Sequence, residues 1–154
     1  MSQTKLAFVA SQDETALQAK RELENKYAHV PENDADVVVV LGGDGKMLEA
    51  LRYYIDKPVK VFGMNKGTVG FLMNEFSSDN LLKRIEAATL VTLHPLRMHV
   101  ETSTGIVKEA LAFNEVSLLR ETSQTAKLRI TIDGTVRMEE PVSYTHLRAH
   151  ETNQ

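Results

Sequence analysis

The sequence predicts an α/β fold: a Rossmann-like parallel α/β layer over residues 1–90, then the incomplete start of a mainly antiparallel β domain over residues 91–142. An unbroken β-branched run, Val37 to Leu41, is the kind of segment buried on both faces of a parallel sheet. Before residue 90, strand-like runs alternate with apolar residues at helical spacing, the pattern of α/β layers. After residue 90 the period shortens to two, the signature of antiparallel strands.

The first strand is the apolar run Leu6 to Ala10, ended by Ser11, Gln12 and Asp13. Helix formers follow to about residue 27, with Ala16, Leu17, Leu23 and Tyr27 as the apolar set. The break at residues 31–34 precedes the central strand, which Gly42, Gly43, Asp44 and Gly45 interrupt; Met47, Leu48, Leu51, Tyr54 and Ile55 then recur at helical spacing. A third strand over 59–62 runs into a second glycine-rich loop, 63–71. Ser77 or Ser78 is the expected N-cap of a helix whose inner face is Leu81, Leu82 and Ile85. Strands are expected within 91–102, 106–119 and 128–132, and Asp133-Gly134 signals a hairpin turn.

Residues 143–154 have neither alternation nor an apolar face and are expected to lie outside the sheet, as a non-native tail. His146 and His150 stand four apart, yet no acid is placed as a zinc helix requires, so no metal ligands are expected.

At 154 residues and 42% hydrophobic content the chain can bury about 70% of its unfolded surface, enough for one domain or a domain plus a fragment. A net charge of −3 supplies no basic field, so neither nucleic acid nor a membrane surface is the expected partner. The absence of cysteine excludes disulfides and thiolate chemistry and fits a reducing, cytoplasmic location. The N-terminal apolar run is far shorter than a secretory h-region or a span of roughly 20 residues.

The chemistry centres on Gly42-Gly43-Asp44-Gly45. Glycines directly after a buried strand let backbone approach a phosphate, and the next helix presents unpaired N–H groups and the positive end of its dipole. A carboxylate there can accept the proton of an alcohol attacking a phosphoryl group. The plainer reading is that Asp44 only caps the helix and the glycines only turn the chain. The second loop sharpens the case, because ligands of open α/β sheets lie across the carboxyl ends of neighbouring strands.

Together these motifs resemble the NAD kinase family, in its shorter bacterial form: Leu41 to Gly45, then Gly63-Met64-Asn65, Gly67-Thr68-Val69-Gly70-Phe71, and Phe113-Asn114-Glu115-Val116. The resemblance runs from about residue 4 to residue 142, and beyond it the family's Asp-Gly pair and Thr-Pro-x-Gly-Ser-Thr-Ala-Tyr-Asn motif are absent. It implies phosphorylation of the adenosine ribose 2'-hydroxyl of NAD to give NADP. Asp44 would be the base, Gly42, Gly43 and Gly45 would hold phosphates, and Leu48 would wall the pocket. Phe71 would line the dinucleotide pocket, and Asn114 and Glu115 would bind ribose hydroxyls. It further implies ATP or polyphosphate as donor, a divalent metal such as magnesium, small nucleotides as partners, and a homo-oligomer at full length.

Each residue has a plainer reading beside this one: Phe71 as core, Glu115 as an exposed strand end, and Asn114-Glu115 as a weak dipeptide that recurs at Asn74-Glu75. Lys46 departs from the family, which commonly has Thr or an apolar residue there. Two other functions compete. Diacylglycerol-type lipid kinases share the first loop but follow it with a Gly-Thr-Gly-Asn-Asp-like second loop, and the chain as given would serve as a non-catalytic nucleotide-binding fragment.

Overall fold

The computed structural model describes residues 4–68, 70–119 and 127–138, together with the backbone of 146–150. The chain forms two compact units, Met1–Val91 and Thr92–Gln154.

In the first unit, β1 (Leu6–Ala10), β2 (Val37–Leu41), β3 (Lys60–Asn65) and β4 (Asn74–Glu75) make a parallel sheet in sequence order. All five residues of β2 are buried, as a strand covered on both faces requires. Leu6, Phe8, Val37, Val39, Leu41, Phe62 and Met64 face α1 (Glu14–Lys26) and α3 (Leu81–Ala87), which contribute Ala16, Ala19, Leu23 and Leu81. Ala7, Val38 and Val40 point the other way, against Met47, Ala50 and Tyr54 at α2 (Asp44–Tyr53). Each large aliphatic side chain so buried stabilises by about 1.5–3 kcal/mol. The register puts Ala10 level with Leu41 and Leu41 level with Met64, so the chain leaves three neighbouring strands at one edge of the sheet.

Helix α1 begins where its sequence says it should. Asp13 is the N-cap and accepts from the Ala16 N–H at 2.9 Å, while Glu14 in the first turn and Lys26 in the last complement the dipole. Helix α3 does not begin as expected. Its N-cap is Asn80, in the left-handed region at φ 53°, with no side-chain cap, so neither Ser77 nor Ser78 fills that role. The Tyr27 hydroxyl substitutes: it accepts from the Leu81 N–H at 3.1 Å and donates to the Ser78 carbonyl at 2.7 Å. Tyr27→Phe should therefore cost about 1–3 kcal/mol in chemical denaturation, because it strands a helix-start N–H under partly buried side chains. A loss below a few tenths would mean water serves that N–H equally well.

The third strand is longer than the expected 59–62. Pairing with β2 carries it past Gly63, where the missing side chain lets Met73 pack on the strand, to Met64. The two-residue β4 then pairs at Met64 and Asn65.

The second unit is antiparallel. β5 (Leu96–Glu101) pairs with β6 (Val107–Ala112), and β8 (Ile130–Ile132) with β9 (Thr135–Met138) through a turn in which Asp133 and Gly134 both have positive φ, as the Asp-Gly pair signalled. Ile106, Val107, Leu111, Leu118, Leu119, Ile132 and Val136 are exposed. One expectation is overturned: β10 (His146–His150) pairs antiparallel with β7 (Glu115–Leu119), so the stretch after 142 is not wholly outside the sheet. Ladder pairing uses backbone groups alone, and an open strand edge accepts a segment that lacks alternation. In a strand, residues four apart are separated by roughly 13 Å, unlike neighbours on a helix face.

No helix among the described residues is long and apolar enough to cross a membrane.

Candidate active site

The carboxyl edge of the parallel sheet brings Ser11, Gly42 and Asn65 together at the ends of β1, β2 and β3. The Ser11 N–H donates to the Leu41 carbonyl at 2.9 Å and the Gly42 N–H to the Met64 carbonyl at 3.2 Å, so each strand exit is tied to its neighbour. Ser11 also hydrogen-bonds Asp13. That hydroxyl, then the Ala16 N–H, holds the Asp13 carboxyl below its ordinary value.

The glycines of the first loop divide into two kinds. Gly42 sits at φ 142°, and a Cβ there would lie 2.6 Å from the Ser11 Oγ, so the fold itself demands glycine. Gly43 has an ordinary extended backbone (φ −93°, ψ −176°), and a Cβ at Gly43 or Gly45 would meet only open space. No packing among the described residues requires glycine at those two positions. Gly45 even lies within α2, where glycine costs roughly 0.5–1 kcal/mol relative to alanine. Two bare backbone positions at the start of a helix, whose first N–H groups lack intrahelical partners, suit an anionic group that must approach closely.

Asp44 is not the helix cap. Gly43 holds that position and makes no side-chain cap bond; Asp44 is the first helical residue, half-buried. Its carboxylate reaches across to the second loop, where Oδ2 accepts from the Phe71 N–H and Oδ1 from the Leu72 N–H, both at 3.0 Å. Gly70 lies flush beneath it: a Cβ there would fall 2.5 Å from the Asp44 Cγ and Oδ2. The second loop is shaped from within by Asn65, whose Nδ2 donates to the Thr68 carbonyl at 2.6 Å and whose Oδ1 accepts from the Gly67 N–H at 3.2 Å.

Asp44, the first-loop glycines and Phe71 are thus brought to one edge. Phe71 is fully exposed, at 102% of its reference surface, which overturns the core reading of that residue. Leu48 is half-buried on α2, and Lys46, beside the loop, pairs with Glu49 at 2.9 Å. Asn114 and Glu115 belong to the second unit, Asn114 exposed in the bend after β6 and Glu115 half-buried as the first residue of β7, not the exposed strand end of the plainer reading. Sequence reasoning did not find Ser11 or the amides of Phe71 and Leu72. A serine just past a first strand is a weak signal, and amides carry none.

Among the described residues no group of three or more His, Asp or Glu is placed to hold a metal ion. A magnesium ion needs no such cage when it rides on substrate phosphates.

Residues 1–91 match the model of the ATP-NAD kinase N-terminal domain. The chain is 52% identical over 142 residues to the NAD kinase of Hyphomonas neptunium, covering 92% of this chain and 56% of that protein. It is 51% identical over 144 residues to that of Brucella suis, with the same coverage. For Caulobacter vibrioides NAD kinase the figures are 52% over 139 residues, 90% and 54%. The chain spans about half the length of these relatives. A first unit matched throughout, with its strand-end loops converging on one carboxylate, identifies the chain as a member of the NAD kinase family.

Proposed function

We propose that this chain carries the phosphate-holding and proton-accepting half of an NAD kinase site. The observation that supports it best is the Asp44 carboxylate, fixed at the carboxyl edge of the sheet beside Gly43 and Gly45, where an added Cβ would meet only open space. In the proposed reaction the adenosine ribose 2'-hydroxyl of NAD attacks the γ-phosphorus of ATP. Its proton passes to an Asp44 oxygen, the new O–P bond forms, and the bond to the bridging oxygen breaks to release ADP. Most of the acceleration comes from positioning and charge stabilisation, so an ionised, hydrogen-bonded carboxylate suffices. Gly42, Gly43 and Gly45 give the phosphates a backbone cradle at the start of α2, Leu48 gives an apolar wall, Phe71 offers a face to the dinucleotide, and Asn114 and Glu115 take ribose hydroxyls. A magnesium ion bound with ATP would neutralise charge on the phosphates held at Gly42, Gly43 and Gly45.

ATP is the donor in this proposal, with polyphosphate as the alternative. We further propose a cytoplasmic homo-oligomer with small nucleotides as its partners. The second-loop wording Gly67-Thr68-Val69-Gly70-Phe71 favours NAD over a lipid acceptor.

The test is incubation of the purified chain with ATP, magnesium and NAD, with NADP read by an NADP-specific dehydrogenase. NADP above the Asp44→Asn background supports the kinase. Nucleotide binding without NADP makes the chain a binding fragment, consistent with its spanning about half of its relatives' length.

Gly45→Ala separates ligand from fold. It should raise thermal stability by about 0.5–1 kcal/mol, since a helical glycine is relieved and a Cβ meets nothing. It should also weaken ATP binding by about tenfold or more, equivalent to about 1.4 kcal/mol or more, by placing a methyl where phosphate must come. Calorimetric melting and equilibrium titration measure the two; unchanged affinity would remove Gly45 from the site.

A further inference from the structure

We infer that Gly70, Phe71 and Leu72 form a cradle that positions the Asp44 carboxylate, and that the second glycine loop therefore holds the protein's own aspartate and not a phosphate. This rests on the proposed role of Asp44 for its functional meaning, but its geometry stands alone. Both carboxylate oxygens accept a backbone N–H at 3.0 Å, one from each of two consecutive residues. The carboxylate sits against the Gly70 backbone so closely that no other residue leaves it room, a Cβ falling 2.5 Å from Cγ and Oδ2. These partners lie 27 and 28 residues away along the chain, so the contact is a tertiary one that local turn formation does not produce. Just beyond, Met73 is buried against Gly63 of β3, which seats the far end of the loop on the sheet.

The chemistry follows from the donors. Two N–H groups already bound to one carboxylate are unavailable to a phosphate, and a phosphate drawn to them would meet the negative charge of Asp44 at hydrogen-bond range. The loops accordingly divide the work: the first presents bare backbone to the anion, and the second aims the base. Each carboxylate oxygen keeps a further lone pair with which to accept a substrate hydroxyl. Gly70 is thus a positioning residue. Asp44 and Gly70 are specified as a pair, because an amide at 44 would offer only one acceptor to two donors and a side chain at 70 would displace the carboxylate.

Amide hydrogen exchange of the isotopically labelled chain, followed by NMR, tests this without any need for turnover, so absence of NADP formation would not affect it. The Phe71 and Leu72 amides should be protected in the wild type and exchange about tenfold or more faster in Asp44→Asn and in Gly70→Ala, while Gly43→Ala leaves them protected. Titration with inorganic tripolyphosphate should shift amides around 43–46 and leave those of Phe71 and Leu72 in place. In Gly70→Ala the tripolyphosphate affinity should stay within about twofold, which a general collapse of the edge would not allow. Equal exchange in wild type and Asp44→Asn, or a phosphate-induced shift at Phe71 and Leu72, would overturn the inference.

Discussion

If the chain carries the proposed activity, Asp44→Asn is expected to lower NADP formation by about 10²–10⁴-fold, the range for loss of a positioned general base. Two effects of the substitution act in the same direction. The amide has no basic oxygen comparable to a carboxylate, so in the proposed reaction the 2'-hydroxyl proton loses its acceptor. The amide also turns its NH₂ toward either the Phe71 or the Leu72 N–H, each now hydrogen-bonded to a carboxylate oxygen. Two donors facing each other leave one N–H without a partner, at a cost of about 1–3 kcal/mol if buried. The sheet should be unaffected, because the Asp44 side chain lies outside both apolar clusters. Far-ultraviolet circular dichroism should therefore match the wild type while turnover collapses. An Asp44 that only capped the helix could give way to Asn with little structural effect, whereas the hydrogen bonds predict that residues 70–72 loosen. A double-mutant cycle with Gly70→Ala distinguishes the two contributions. If cradle and carboxylate act as one unit, the double variant should be little worse than either single variant. Additive losses would mean that Gly70 acts elsewhere, and wild-type turnover in Asp44→Asn would remove Asp44 as the base.

How far the sequence announced this site depends on the range of the interactions involved. Val37 to Leu41 could be read as a central strand because five consecutive apolar, mostly β-branched residues have few other destinations, and all five are buried. The glycine loop after it could be read because its residue types are unusual at that point. The partners of the Asp44 carboxylate could not, since a capping Asp and a tertiary clamp look identical in one dimension; the approach of residues 70–72 shows the clamp. The same limit hid the Tyr27 hydroxyl, which replaces the serine cap expected for α3 from 54 residues away in sequence. The exposure of Phe71 reversed the general preference of phenylalanine for the core, a preference that describes averages and not a loop whose backbone is pinned by a carboxylate. Pairing of residues 146–150 escaped because ladder bonds are blind to side-chain pattern.

Val39→Asp should abolish cooperative folding of the first unit at neutral pH, and with it every loop of the site. Val39 is fully buried in the middle of β2, level with Phe8 on β1 and Phe62 on β3, and it packs in the cluster that includes Leu23 of α1. Buried polar or charged residues are absent from the described chain, so no partner awaits a carboxylate there. Loss of the valine packing removes about 1.5–3 kcal/mol. Burying the polar group without a hydrogen bond costs about 1–3 kcal/mol more by mutational measures even when it is neutral, and charge raises the penalty further. Together these approach the whole stability of a typical domain, about 5–15 kcal/mol. Burial would raise the carboxyl's folded pKa above its unfolded value, so the charge-related part of the penalty disappears below the unfolded value and grows as pH rises above it. Guanidinium denaturation should accordingly show no cooperative transition at pH 7 and a partial one near pH 4. Val39→Ala, which adds no charge, should remain folded with a loss of about 1–3 kcal/mol that acid does not reduce through this residue. A stable Val39→Asp at pH 7 would mean that water or an unrecognised partner reaches the centre of the sheet. The strand ends that carry Gly42, Gly43 and Asp44 would then lack the rigid support on which the geometry of this site depends.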